Sequence, residues 1–222
     1  MRRKVVAIDG PAGAGKTTVA RLLAARLGFL CLPSGMFYRA LAWRALEAGT
    51  PLDDEPALAA LADATQIEVR VERGECHAFV DGREVTADLA GSAVGEGASR
   101  VSVFPEVRRR MVRLQRAMAD EQSVVAEGRD MASVVFPTAD AKFYLDASAA
   151  ERARRRADDL RRLGEQPAEA ALAREIAARD RRDSSREADP LRQVEGAIRV
   201  DTTDLTVEEV VERLLLEMAR RP

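Results

Sequence analysis

The sequence is poor in cysteine and histidine. It contains two cysteines, Cys31 and Cys76, and one histidine, His77. These three side chains cannot complete a four-ligand zinc site, and two cysteines provide no disulfide framework. The 222-residue length is sufficient for one α/β domain with a full hydrophobic core. We therefore expect one α/β domain, or one domain with insertions, that has neither a structural zinc site nor a disulfide framework.

Long apolar runs and an excess of one charge are also missing. No apolar run approaches the ~20 residues of a membrane-spanning helix. The formal net charge of −2 creates no field that would hold the protein on nucleic acid or a membrane surface. We therefore predict a cytoplasmic protein with neither nucleic acid nor membrane as partner. The final helix and the arginine-rich faces show no apolar stripe that would bind a second subunit, so we expect a monomer.

Lysine is scarce, and its position is informative. Only three of the 35 basic residues are lysine, namely Lys4, Lys16 and Lys142. Where arginine is the default, Lys16 indicates a requirement for a compact point charge.

Lys16 belongs to the segment GPAGAGKT at 10–17, which fits the phosphate-binding pattern G-x-x-x-x-G-K-[ST]. A strand pattern at 4–9 precedes it, and a helical pattern at 18–27 follows. In this context backbone N–H groups and the helix N-terminus bind phosphate, Lys16 reaches the β and γ phosphates, and Thr17 offers a hydroxyl to Mg²⁺. The segment therefore predicts a nucleoside triphosphate site. The predicted set is Gly10, Pro11, Ala12, Gly13, Ala14, Gly15, Lys16, Thr17 and Thr18.

Strand and helix patterns alternate along most of the chain. Further strands are predicted at 29–32, 123–126, 141–145 and 197–200, and helices at 36–48, 53–64, 94–103, 105–121, 149–163, 167–185 and after 206. A Pro33-Ser34-Gly35 turn is expected before the second helix. This alternation predicts an α/β fold with a doubly wound, largely parallel sheet and helices on both faces.

Short β-like runs at 66–73, 76–81 and 83–85 interrupt the alternation. Gly74 and the hairpin pair Asp81-Gly82 separate them. We predict a small antiparallel insertion at about residues 65–90.

Several helix ends can be predicted from capping residues. Gly28 and Gly49 are expected C-caps, and Asp53 or Asp54 an N-cap. The segments Ser148-x-x-Glu151 and Thr206-x-x-Glu209 both fit a capping box.

The phosphate-binding loop alone leaves kinases, GTPases, and motor and transport ATPases open. The segment DLAG at 88–91 matches the D-x-x-G pattern of GTPases, but it lacks a strand-to-loop context. The sequence also lacks the N-K-x-D motif with which GTPases recognise guanine. Phosphoryl transfer to a nucleotide requires cations from several directions around one site, and arginine binds phosphate in bidentate fashion. The candidates are Arg39, Arg108, Arg129, the run at 152–156 and the segment 179–186. In the last segment Arg179, Asp183 and Arg186 have the i, i+4, i+7 spacing that predicts one helix face.

Most of these residues could also have a structural or surface role that involves no substrate. The arginines between 152 and 162 also fit a solvated helix face paired with Asp158 and Asp159. Arg109 and Arg110 are expected at the surface. Ser34 also fits a turn, and Asp130, which follows a buried strand, also fits a helix cap or a structural carboxylate.

Taken in order, these segments resemble the bacterial cytidylate kinases of the nucleoside monophosphate kinase family, which have a P-loop fold. The matching segments are IDGPAGAGK at 8–16, SGMFYR at 34–39, ASRV at 98–101, FPEVR at 104–108, EGRDM at 127–131, VVFP at 134–137 and RDRRD at 179–183. The insertion is similar to one that marks this family.

The resemblance implies a single kinase domain over 1–222, with a CMP-binding region at 34–102 and a helical lid at 152–188. It implies transfer of a phosphoryl group from Mg²⁺-bound ATP to CMP or dCMP. By position, the base would be read by Ser34, Arg108 and Asp130. Ser99, Arg179 and Asp183 would hold the sugar, and Arg39, Arg129 and Arg186 the acceptor phosphate, with Tyr38 in the same pocket. The implied catalytic set is Lys16, Arg129, Arg154, Arg156 and Arg186, and the loop 201–203 would lie near the adenine.

Two rival functions are kept open. A P-loop kinase for UMP, AMP or a hydroxyl acceptor such as shikimate would use the same loop, although a hydroxyl acceptor requires an essential carboxylate base. A non-catalytic nucleotide-binding switch would bind ATP without consuming it.

Overall fold

The computed structural model describes residues 3–162, 164–166 and 168–220. The strands in chain order are β1 Val5–Asp9, β2 Leu30–Pro33, β3 Ile67–Glu72, β4 Glu75–Val80, β5 Arg83–Glu84, β6 Val124–Gly128, β7 Ala141–Asp146 and β8 Ile198–Asp201. The helices are α1 Lys16–Leu27, α2 Ser34–Ala48, α3 Glu55–Ala64, α4 Ser92–Val101, α5 Pro105–Ala119, α6 Ala149–Arg162, α7 Glu169–Ser185 and α8 Val207–Ala219. None of the helices in these ranges combines the length and apolarity required to cross a membrane.

The main sheet has the order β2-β6-β1-β7-β8, and its paired strands are parallel. Strand β1 alternates between two hydrophobic cores, because Ala7 packs on the side of α2 and α5 while Val6 and Ile8 pack on the side of α1 and α8. Strands that are buried on both faces are typical of a parallel sheet with a helical layer on each side. The predicted doubly wound α/β fold is confirmed, and its ligand crevice lies outside the carboxyl ends of the strands.

The predicted antiparallel insertion is present as the sheet β3-β4-β5. Its hairpin uses Asp81 (φ 50°) and Gly82 (φ 80°), two successive residues in the left-handed region that a tight hairpin turn requires. The insertion contacts the main sheet where the Cys76 thiol donates to the Cys31 carbonyl oxygen at 3.8 Å.

Most predicted helix caps are confirmed. Gly28 and Gly49 end α1 and α2 in the left-handed conformation, and Asp54 accepts a hydrogen bond from the Ala57 N–H. The box of Thr206 and Glu209 at α8 is complete.

The capping box predicted at α6 is only half formed. Ser148 Oγ accepts from the Glu151 N–H at 3.2 Å, but the Glu151 carboxylate binds Arg154 and Arg155 instead of the Ser148 backbone. Charged guanidinium donors offer stronger hydrogen bonds to a carboxylate than a neutral N–H does. The Ser148 N–H donates to Thr203 Oγ1.

Three other local predictions are wrong. Pro33 ends β2 and Ser34 already begins α2, so the expected turn is absent there. Strand β6 continues through Gly128 because it pairs with β1 up to Asp9. Arg186 lies just beyond α7, which ends at Ser185, rather than on its face.

The predicted lid helices α6 and α7 form a small separate core between them, made of Ala157, Leu160, Leu172 and Ile176. The predicted end of the first at Leu163 and start of the second at Pro167 fall outside the described residues.

Candidate active site

A cleft of about 920 Å³ opens at the carboxyl edge of the main sheet. It brings together all predicted site residues except Gly10, Pro11 and Ser99, which do not line it. The predicted residues that line the cleft are Ala12, Gly13, Ala14, Gly15, Lys16, Thr17, Thr18, Ser34, Tyr38, Arg39, Arg108, Arg129, Asp130, Arg154, Arg156, Arg179, Asp183 and Arg186.

The phosphate-binding loop has a conformation that only glycine tolerates at its first residue. Gly10 has φ 150°, and a Cβ there would overlap the carbonyl oxygen of Leu145. Gly15 is left-handed and is the N-cap of α1. Backbone N–H groups at the start of α1 therefore face the cleft, where an anion would satisfy them.

Lys16 is folded back onto the loop that carries it. Its side chain is buried, and Nζ donates to the Pro11 carbonyl oxygen at 2.7 Å. Burial lowers the pKa of Lys16 to about 7, with a further contribution from the positive charge of Arg129. A negative charge bound in the cleft would raise the pKa of Lys16 again, because it favours the charged ammonium.

Thr17 and Glu127 connect the loop to the end of β6. The Thr17 hydroxyl donates to Glu127 Oε1 at 2.8 Å, and Glu127 is buried. Sequence reasoning assigned no role to Glu127, although its place after a buried strand was a usable signal. No group of three or more histidine, cysteine or acidic side chains within the described ranges is arranged to hold a metal.

Half-buried guanidinium groups crowd the middle of the cleft. Arg129 Nε donates to Asp183 Oδ2 at 2.8 Å, and Arg179 Nε lies 4.0 Å from the same oxygen. Arg179 Nε is itself buried and has no hydrogen-bond partner among the described residues. Desolvation lowers the pKa of Arg179 to about 10, and the charge of Arg129 adds to the effect. Desolvation likewise lowers the pKa of Arg39 to about 10. A phosphate bound between these guanidinium groups would raise both pKa values again.

One end of the cleft is built around the buried carboxylate of Asp130. Arg108 Nη2 donates to Asp130 Oδ2, and Arg186 Nη2 lies 3.8 Å from that oxygen. Arg108 Nε also binds Asp189 Oδ2 at 2.8 Å. Burial raises the pKa of Asp130, and the two arginines oppose the rise. In the described structure Arg186 Nη2 has no hydrogen-bond partner.

Ser34 and Tyr38 complete this end from the first turns of α2. Ser34 Oγ occupies the space above Gly128, since a Cβ built on Gly128 would lie 2.5 Å from it. Burial raises the pKa of Tyr38 to about 12, and its ring centroid lies 5.8 Å from the Arg108 guanidinium carbon. Both side chains keep their hydroxyl protons at neutral pH.

Ser99 is buried behind the cleft wall. Its Oγ accepts from Arg182 Nε at 3.2 Å, and Arg182 Nη2 is paired with Glu96 at 2.6 Å. The role predicted for Ser99 stays a prediction.

The neighbouring arginines Arg154 and Arg155 of α6 have different surroundings. The Arg154 side chain is 60% exposed and paired with Glu151 and Asp158. Arg155, which sequence reasoning did not single out, donates to the Thr202 carbonyl oxygen at 2.6 Å. Its Nη1 would lie 3.4 Å from a Cβ on Gly15, so it covers the phosphate-binding loop.

The far end of the cleft is partly apolar. Thr202 and Thr203 of the predicted adenine loop line it, together with Leu205, Val207 and Val210, which were not predicted. An apolar wall beside polar loop atoms suits a heterocyclic base.

A buried lysine in a glycine-rich loop between a parallel strand and a helix defines a P-loop protein of the α/β class. Residues 6–220 match the family model described as cytidylate kinase. The chain belongs to the cytidylate kinase family, which confirms the family resemblance of its motifs.

Relatives match over nearly the full length. The chain is 47% identical to a cytidylate kinase of Symbiobacterium thermophilum over 220 residues, 99% of this chain and 97% of the relative. It is 46% identical to a cytidylate kinase of Vibrio cholerae over 211 residues, 95% and 94% of the two chains. A solved structure from Eubacterium ventriosum, described as an uncharacterized protein, matches with a TM-score of 0.55 at 12% identity, covering 99% of this chain and all of that one. This last likeness concerns the fold alone.

Proposed function

We propose that the protein transfers the γ-phosphoryl group of ATP to the 5′-phosphate of CMP or dCMP, giving ADP and CDP or dCDP. The observation that carries the proposal is the arrangement of the cleft. A phosphate-binding loop forms one wall, and a carboxylate between two buried arginines forms the opposite end. Guanidinium groups lie between them, among them that of Arg179, whose buried Nε has no hydrogen-bond partner within the described residues. Family membership supports the same reaction.

The donor half would bind ATP at the loop 10–17. The N–H groups at the start of α1 would receive the β and γ phosphates, and Lys16 would leave the Pro11 carbonyl for a phosphate oxygen. Arg155 binds the Thr202 carbonyl oxygen at the base end of the cleft. The charge of Arg156 acts on Arg39 and Arg179 in the middle of the cleft, so Arg156 is the arginine of α6 that would reach the transferred group. The roles of Arg154 and Arg156 stay predictions.

The acceptor half would bind the nucleoside monophosphate. Cytosine carries an exocyclic amine, a donor that the Asp130 carboxylate and the Ser34 hydroxyl can accept. Uracil carries a carbonyl there, which would face the carboxylate and cost about 1–3 kcal/mol. Arg179 and Asp183 would contact the sugar, and Arg39, Arg129 and Arg186 the phosphate, whose charge would offset the desolvation of the Arg39 and Arg186 guanidinium groups.

The reaction requires no general base. The attacking oxygen of the 5′-phosphate is already anionic at neutral pH; it forms a bond to the γ-phosphorus as the bond to the ADP oxygen breaks. The protein contributes alignment and preorganised positive charge, and the helices α6 and α7 would exclude water.

Magnesium would enter with ATP. The donor set fits this ion, because Thr17 offers one hydroxyl beside the carboxylate of Glu127, and Mg²⁺ prefers a few oxygen ligands together with phosphate and water. When bound, the ion neutralises charge on the phosphates. We also propose that the protein acts as a cytoplasmic monomer.

An initial-rate assay with CMP, dCMP, UMP, AMP and GMP tests the proposal, with release of nucleoside diphosphate as the readout. We expect CMP and dCMP to be the preferred acceptors. Equal or lower rates with these two would refute the specificity, and ATP binding without turnover in the presence of CMP would favour a switch.

A further inference from the structure

The reaction proposed above makes no use of the buried carboxylate of Asp9. This residue ends β1, directly before the phosphate-binding loop, and pairs in register with Gly128. It is 2% exposed and does not line the cleft. Its two oxygens accept separate hydrogen bonds, Oδ1 from the Met131 N–H and Oδ2 from the Ala132 N–H, both at 2.8 Å.

These two N–H groups open a short π-helical turn, Met131–Val135, which directly follows Asp130. The first N–H groups of a helical turn have no partner within the turn, and a carboxylate satisfies them while its charge faces the positive end of the turn. Burial raises the pKa of Asp9 to about 6, so above that pH both oxygens act as acceptors. The backbone behind Asp130 is therefore anchored to the strand that carries the donor loop.

We infer that Asp9 is a positioning residue for the acceptor base: by holding the N–H groups of Met131 and Ala132, it fixes the Asp130 carboxylate where it distinguishes CMP from UMP. The inference rests on the proposed function. Asp9 itself would touch neither substrate. The phosphate-binding loop has a separate support, since the Leu145 carbonyl oxygen confines Gly10 from the other side. A defect at Asp9 should therefore affect the acceptor site more than the ATP site.

The substitution Asp9→Asn tests this assignment. The asparagine side chain keeps one oxygen that can accept a hydrogen bond from one of the two backbone N–H groups. Its NH₂ group is a donor, so the other buried N–H loses its acceptor. We expect the KM for CMP to rise, and the ratio of kcat/KM for CMP to that for UMP to fall, each by at least about fivefold, the lower range for one lost buried hydrogen bond. The KM for ATP should stay within about twofold, because the loop keeps its own support.

A matched control is Asp146→Asn. Asp146 ends β7 and accepts a backbone N–H, that of Ala147, at 2.9 Å, but it holds no residue of the acceptor end. The KM for CMP and the CMP-to-UMP ratio should not change in this variant. The inference is wrong if Asp9→Asn keeps the wild-type ratio, or if it raises the KM values for ATP and CMP together, as a general loss of structure would.

A second pair of variants keeps the test valid if Asp9→Asn does not fold. Ala132→Pro removes one N–H donor and leaves Asp9 intact, and proline is tolerated in the first turn of a helix. Ala132→Gly retains the donor. Only the proline variant should lose CMP preference, and a normal ratio in it would overturn the inference. The proposed function fails instead if the wild-type protein makes no CDP.

Discussion

Asp130→Asn removes one negative charge from the acceptor end of the cleft and leaves the size of the side chain nearly unchanged. An asparagine side chain can turn either its oxygen toward the amine of cytosine or its amide group toward the carbonyl of uracil. The penalty of about 1–3 kcal/mol that opposes uracil should therefore disappear. This corresponds to a fall of about 5- to 150-fold in the ratio of kcat/KM for CMP to that for UMP.

The same substitution should lower the stability of the protein. The Arg186 Nη2 atom lies 3.8 Å from Asp130 Oδ2, which at an effective dielectric constant of about 20 corresponds to an attraction of about 4 kcal/mol. Removing one partner of a buried pair typically costs about 3–5 kcal/mol, and the hydrogen bond that asparagine can still accept from Arg108 favours the lower value. For a domain of this size we expect the melting temperature to fall by about 10 °C.

Steady-state kinetics with CMP and UMP, together with a calorimetric melt, measure both effects. The matched control is Asp189→Asn, which removes a different carboxylate from Arg108 at a position where φ is 52°, a conformation that asparagine adopts readily. This control should keep the CMP-to-UMP ratio. A wild-type ratio in Asp130→Asn would refute the role of Asp130 in reading the base, and complete loss of activity with every acceptor would favour a catalytic base.

Three further predictions concern the loop and its neighbours. Lys16→Ala should abolish turnover in the coupled assay, and normal activity in this variant would exclude the mechanism. Its melting temperature should stay within a few degrees of the wild-type value, because the desolvation cost of the buried ammonium offsets the hydrogen bond that it donates. ATP binding at pH 8 should be accompanied by uptake of nearly one proton, because the pKa of Lys16 is about 7 without ligand and a bound phosphate raises it. Calorimetry in buffers of different ionisation enthalpy measures this proton uptake. Equal apparent binding enthalpies in all buffers would contradict the prediction. Gly128→Ala should weaken CMP binding in a titration and lower the free energy of unfolding by about 1–3 kcal/mol, because the added Cβ would lie 2.5 Å from Ser34 Oγ. In the control Gly35→Ala the added Cβ meets open space, so the melting temperature should not fall.

Much of the fold could be predicted because its determinants are local in the sequence. The buried strands have continuous apolar runs, and Gly28, Gly49, Asp54 and Thr206 mark helix ends by their own conformations and hydrogen bonds. Each of these signals acts within a few residues of its position.

What could not be predicted depends on contacts distant in sequence. The turn after Asp130 is held by Asp9, more than a hundred residues earlier. Helical periodicity places Arg154 and Arg155 about 100° apart, but only the docking of α6 decides which of them faces the loop. Arg152 anchors that docking through its hydrogen bond to the Ala12 carbonyl oxygen at 2.9 Å.

Transfer of label from ATP to product tests the central claim most directly. With ATP labelled at the γ-phosphorus and CMP as acceptor, the account predicts that the label appears at the β-phosphate of CDP, and that release of inorganic phosphate stays negligible because water is excluded. Label that accumulates as inorganic phosphate at a rate independent of CMP would contradict the account.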